Sequence, residues 1–311
     1  MNDVAENDLE LRIKHEPQAQ PLGWRVVQHV DIAGPINRKG AEPVSVPQKE
    51  EVEKKNHTLN DYLNVGYAGA FGIEIELEGK NLPILDRNKY WSRRKDGSLR
   101  GGMEYVFNAP LDLKESIKAI DFLNKALIKS DAQLDYSFRT SVHVHVNVLS
   151  FTKKELDSFL YLSHLFEDVL VKYSGDSREG NRFCLRTRDA EDKVDQLKQH
   201  IREKDFRFFE KEKVKYSAIN LSSIGEFGSV EFRSMRGTTD TAILIPWLEV
   251  LGSLRDIAKG LTIKEIAEAY KKDQGGLYQA VFKEHSERFY YPEMWQDMRQ
   301  SYLRLIELPY L

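Results

Sequence analysis

Three segments of the chain put polar side chains at every second position. In residues 71–78, Glu74, Glu76 and Glu78 fall on one face of a strand and Phe71, Ile73, Ile75 and Leu77 on the other. A row of carboxylates at this spacing repels itself unless cations lie between them, so it reads either as a solvated acidic edge or as one wall of a divalent-metal site. In residues 141–148, Ser141, His143, His145 and Asn147 alternate with four valines. Imidazoles two apart on a strand either converge on one metal or stand side by side on a wet surface. In residues 229–238, Glu231 and Arg233 share a face opposite Val230 and Phe232. They can pair with each other, or Arg233 can stand as a fixed positive charge over a transferring phosphoryl group. A lone carboxylate, Glu104, interrupts the apolar run 103–108 and must reach either water or a cation.

The elements that must position these groups are legible in outline. Asp96-Gly97 marks a tight turn between two short strands, and Gly101-Gly102 lets backbone pass close to a neighbour. Asp112 to Glu115 reads as a capping box opening an amphipathic helix to about Ile128, and Thr152 to Glu155 as another opening one long helix to about Tyr173. Between residues 175 and 188 the chain turns basic, with Arg178, Arg182, Arg186 and Arg188 around Asn181 and Cys184. Guanidinium groups beside an anionic sheet suit phosphate or carboxylate oxygens, and a solvated loop is the plainer alternative. Cys184 has no adjacent base and is not read as a nucleophile. Residues 191–204 form a polar helix. A strand over 216–221 and a turn at 225–228 precede the Glu231 strand. An apolar helix from Thr239 to about Lys259, kinked at Pro246, and further amphipathic helices complete the chain.

Bulk properties narrow the classes. A chain of 311 residues, 41% hydrophobic and 31% charged, can bury a substantial core. Net charge −3 removes any general attraction to nucleic acid or an anionic membrane, so phosphate binding must come from a local cluster. One cysteine excludes intrachain disulfides and multi-thiolate zinc sites. The absence of a long apolar run or a secretory leader makes a cytoplasmic location the expectation. Residues 1–56 carry five of the ten prolines and a charge run at 49–55. They read as an extension, most simply a linker, with 57–311 as the catalytic domain.

Taken together, Phe71-Gly72-Ile73-Glu74-Ile75-Glu76, Asp96-Gly97-Ser98-Leu99 with Glu104, His143-Val144-His145-Val146-Asn147, then Asn220, Glu231-Phe232-Arg233 and Gly237-Thr238 resemble the amidoligases often found in phages. These belong to the carboxylate-amine ligase superfamily of glutamine synthetase and glutamate-cysteine ligase. The likeness runs over about residues 69–260 with its motifs in order. It implies an α+β fold, with a curved antiparallel sheet whose concave face is the active site and helices on the convex face. It implies Mg²⁺ or Mn²⁺ held by Glu74, Glu76, Glu104, His143 and Glu231, with His145 and Glu78 matching less closely. The reacting groups would include Glu231, Arg233 and Arg139, and ATP would meet Arg182, Arg186, Arg233, Arg236 and Asn220. The reaction would join a small-molecule or peptide carboxylate to an amine, in the host cytoplasm if the gene is a phage's. Oligomeric state stays open. Two alternatives remain: a metal-dependent hydrolase using His143, His145 and a carboxylate, and a relative that binds nucleotide or metal without turnover.

Overall fold

A computed structural model describes residues 57–66, 69–85, 88–190, 192–203, 206 and 216–310. The expected N-terminal extension, 1–56, lies outside the described residues.

Thr58 opens α1 (Leu59–Leu63) with a reciprocal capping box to Asp61. The acidic strand β1 (Phe71–Lys80) follows. Then come the hairpin β2 (Trp91–Arg94) and β3 (Gly102–Phe107), helix α2 (Leu113–Lys129), the short β4 (Gln133–Asp135) and the histidine strand β5 (Ser141–Asn147). Asp112 accepts from the Glu115 amide as expected, but the Glu115 carboxylate turns to Lys89 and Lys118, so the box is half formed.

The expected long helix after Thr152 is two: α3 (Lys153–Leu165) and α4 (Glu167–Tyr173), separated at Phe166. The break lets the Phe166 ring pack edge-on against Phe282, 5.3 Å between centroids. Helix α5 (Asp192–Arg202) leads to β6, which pairs only over Ile219–Asn220. Where a turn was expected, the chain forms α6 (Ser222–Phe227), closed by Gly228 at φ 64. Strand β7 (Ser229–Arg236) and α7 (Thr241–Gly260) follow, the helix running through Pro246. The rest is helical: α8 (Ile263–Lys272), α9 (Gln274–Phe282), α10 (Ser286–Phe289) and α11 (Met294–Arg304).

The strands form one antiparallel sheet in the order β2-β3-β1-β5-β7-β6, with β4 on the far end of β1. The alternation read from the sequence holds. Phe71, Ile73, Ile75 and Leu77 join Val142, Val144, Val146, Val230, Phe232 and Met235 in the buried core. Helices α2, α3 and α7 cover that face: Trp91 donates from Nε1 to the Ala119 carbonyl at 2.7 Å, Phe159 meets Phe232, and Gly252 of α7 lies against Phe71. A mixed α+β architecture with helices laid on one face of an antiparallel sheet is therefore what the chain adopts. No helix among the described residues is long and apolar enough to cross a membrane.

Candidate active site

Strand register decides which polar side chains meet, because directly opposed residues of antiparallel strands point to the same face. Glu76 lies opposite Glu104, Glu74 opposite His143, His145 opposite Glu231, and Glu231 opposite Asn220. Residues from five separate strands thus converge on the face opposite α2, α3 and α7.

Two groups form there. In the first, ligand atoms of Glu74, His143 and Glu231 lie within 4.8 Å of one another. His143 Nδ1 is 3.2 Å from Glu74 Oε2 and 3.4 Å from Glu231 Oε1. His145 Nε2 is 3.6 Å from Glu74 Oε1, and its Nδ1 is 3.0 Å from Ser229 Oγ. Asn220 donates to Glu231 at 2.5 Å, and Arg233 donates to the other Glu231 oxygen. In the second group, Glu76, Asp96 and Glu104 bring carboxylate oxygens within 4.8 Å.

Ser141 joins the two. Its hydroxyl donates to Glu76, so it can accept Nε2–H of His143, 2.8 Å away. That contact turns His143 Nδ1 toward Glu74 and Glu231, where without an ion it donates its proton to Glu74, and where a bound cation would take the place of that proton.

The two groups differ in charge. Burial pushes the Glu74 carboxyl up, but hydrogen bonds from His143 and His145 overcome this and hold it well below the usual range. Burial likewise raises Glu231, and the Arg233 guanidinium brings it back below. Burial lowers His145, and the Glu74 hydrogen bond and Glu231 charge raise it above 6.5. In the second group the compensation falls short: His143, the Ser141 hydroxyl and Arg233 act on Glu76, and Arg94 on Glu104, without offsetting burial. Burial raises Glu76, and burial followed by repulsion from Glu74, Glu76 and Asp96 pushes Glu104 up to about 8. An oxygen-rich donor set of this kind suits a hard divalent cation better than zinc.

The other expected residues divide. Glu78 accepts from the Arg100 amide at 2.5 Å and so braces the β2–β3 loop. Arg139 donates to the Ser98 carbonyl at 2.7 Å and, among the described residues, keeps a buried Nε without a partner, as does Arg233. Arg182 is exposed and stacks over Phe183. Two expected phosphate contacts are otherwise engaged. Arg186 is held by Asp189 and the buried Asp168, and Arg236 donates to the Tyr173 and Ser174 carbonyls at the end of α4.

Asp96 went unrecognised as a site residue because an Asp-Gly pair reads first as a turn. The available signal was its place on a hairpin whose strand Glu104 already carries a carboxylate.

No curated protein matches the chain. A family model, however, matches residues 83–254 and is described as "Putative amidoligase enzyme". Asp96, Glu104, Arg139, His143, His145, Asn220, Glu231 and Arg233 lie inside that span, and Glu74 and Glu76 just before it. With more than half its length matched and its polar sheet face assembled from these residues, the chain belongs to this amidoligase family.

Proposed function

We propose that the protein is an ATP-dependent carboxylate-amine ligase that forms an amide or peptide-like bond through an acyl phosphate. The observation that carries this reading is the pairing of two oxygen-rich groups on one sheet face, joined through Ser141 and flanked by Arg233 and Arg139.

The chemistry explains why such a face suits the reaction. A carboxylate is a poor electrophile: its charge repels the amine, and oxide does not leave. Transfer of a phosphoryl group from ATP supplies a leaving group, after which the amine adds to the acyl carbon and phosphate departs. Both steps gather anionic oxygens in one place, so the site must supply positive charge. Glu74, His143 and Glu231 would hold one Mg²⁺ or Mn²⁺, and Glu76, Asp96 and Glu104 a second. Bound there, the cations would neutralise the phosphate oxygens. Arg233 would balance the remaining charge, with its buried Nε–H still free to donate. Asn220 would keep Glu231 oriented, and Ser141 would keep His143 turned toward its carboxylates. Raised Glu76 and Glu104 are the expected signature of carboxylates gathered to meet a cation rather than one another.

The test is a panel of acids and amines with ATP and Mg²⁺, scored for ADP and phosphate release that requires both partners. An ¹⁸O label in the acid should appear in the released phosphate. Release of AMP and pyrophosphate, or phosphate release indifferent to acid and amine, defeats the proposal. Tightly held stoichiometric zinc in protein purified without chelator points instead to the hydrolase.

A further inference from the structure

Arg178 is only 1% exposed, yet among the described residues it has no carboxylate partner. A guanidinium removed from water without a counter-ion is costly unless other groups take its protons. Here backbone carbonyls do. Nε donates to Ser234 O at 2.8 Å and Nη2 to Arg233 O at 2.9 Å. Nη1 lies 3.3 Å from Phe138 O and 3.5 Å from Thr140 O.

These four acceptors are not scattered. Val142 pairs with Met235 and Val144 with Phe232, so one residue of β5, His143, faces two of β7, Arg233 and Ser234. That is a β-bulge, where an extra residue interrupts the ladder and leaves backbone groups without strand partners. Arg178 supplies donors to both carbonyls of the bulge. Its other two contacts fall on the residues either side of Arg139. Thr140 O also accepts from the Gly237 amide at 3.1 Å, and a Cβ at Gly237 would come within 2.5 Å of the Thr140 side chain. The ends of β5 and β7 are thus drawn together around one buried cation.

We infer that Arg178 is the positioning residue for the two cationic arms of the site, Arg233 and Arg139, clamping the bulge that aims one and the turn that carries the other. Each arm is tethered to the scaffold through Nη1, Arg139 to Ser98 O and Arg233 to Glu231, and among the described residues each keeps a buried Nε–H without an acceptor, a donor left over for a ligand. The inference rests on the ligase reading only for the identity of that ligand, a polyphosphate. The placement of the arms can be measured without it.

The experiment uses full-length Arg178→Met and Arg178→Lys. The lysine variant keeps the charge but cannot fork to carbonyls on two segments. Mn²⁺ binding alone, followed by electron paramagnetic resonance, should stay within about threefold, because the carboxylates are placed by strand register. Inorganic tripolyphosphate binding in the presence of Mn²⁺ should weaken by about tenfold or more in both variants. The Nε–H resonances of Arg233 and Arg139 should move toward the averaged position of an exposed arginine. Loss of tripolyphosphate affinity no greater than loss of Mn²⁺ affinity, or Arg233 and Arg139 signals unchanged in both variants, overturns the inference. If the unmodified protein binds no tripolyphosphate, the phosphate reading fails, and the resonances alone decide the positioning role. Should neither variant fold, the unmodified chain decides: slowly exchanging, ordered Nε–H signals for Arg178 and Arg233 support the clamp, and an averaged Arg233 signal overturns it.

Discussion

The two halves of the polar face are both built on carboxylates and are balanced differently. Around Glu74 and Glu231, imidazoles and a guanidinium sit within ion-pair distance, and both carboxyls are held below their ordinary range. Around Glu104, the neighbours that raise it are other carboxylates, and Arg94 offers only partial relief. The first half is electrostatically complete as folded. The second is complete only with an added positive charge, whether proton or cation. On the proposed reading, the two halves are prepared for a cation in two ways: one by compensating its ligands in advance, the other by leaving a deficit that the ion itself would fill.

The strongest way to break this contrast is to remove a carboxylate from the compensated half. Glu74→Gln and Glu231→Gln should each lower Mn²⁺ affinity at that half by about 100-fold or more, close to 2.7 kcal/mol, with the fold retained by circular dichroism. In Glu231→Gln the Arg233 guanidinium also loses its partner, so that variant should be the less stable of the two by thermal melt. Unchanged metal affinity in either variant removes that residue from the site.

Acidity sharpens the comparison next. A cation entering the second half must displace the proton on Glu104, whose carboxyl titrates at about 8. Between pH 6 and 8 the affinity for the second ion should therefore rise by up to about tenfold per pH unit. Calorimetry in buffers of different ionisation enthalpy should find a proton released with that ion. Glu74 and Glu231 contribute no such release, being ionised throughout this range.

The same deficit has a stability consequence in chelator. A carboxyl whose pKa is higher folded than unfolded stabilises the fold fully below its ordinary value of 4.5. That contribution is lost progressively as pH climbs toward about 8. Asp157 and Glu167, raised by burial to about 7 each, act in the same direction. Only the difference between the unmodified chain and Glu104→Gln isolates the site. That variant should melt higher by a few °C at pH 8, on the order expected for one relieved buried charge, and the gap should close at pH 5 or on adding Mg²⁺. No gap at pH 8 would mean that Glu104 is adequately solvated.

How much of this could be read in advance follows from the range of the interactions involved. Period-two alternation is local, so β1, β5, β7 and the side on which Glu74, His143 and Glu231 fall were visible in the residues themselves. Caps are local too: Thr152 opens its helix as expected, and the same capping box recurs at Thr58 and Thr262. The misreadings lie where distant contacts override local pattern. Phe166 leaves its helix to reach Phe282, and residues 222–227 form a short helix instead of a turn. The arginine loop carried no period at all. Its charges suggested phosphate, as did Arg236 on β7, whereas Arg178 and Arg236 satisfy backbone carbonyls and Arg186 joins Asp168. Those acceptors belong to residues 18 to 63 positions away, beyond any local window.

Ser141 offers the smallest and most diagnostic effect, because it touches both halves without being a ligand of either. Its hydroxyl donates to Glu76 and stands 2.8 Å from His143 Nε2. Removing it in Ser141→Ala frees the imidazole to exchange its ring proton and leaves Glu76 with one donor fewer. Neither carboxylate moves along its strand, since the register is held by the backbone ladder. Each ion should then bind about three- to tenfold more weakly, the scale on which an orienting partner of a metal-bound imidazole acts. If the two halves are coupled through this hydroxyl, the first ion should also cease to influence the second. In a titration with Mn²⁺, Ser141→Ala should turn two interacting binding steps into two independent ones. Interaction between the ions that survives the substitution would show that the coupling runs through space, by repulsion between the charges, and not through the Glu76–Ser141–His143 chain.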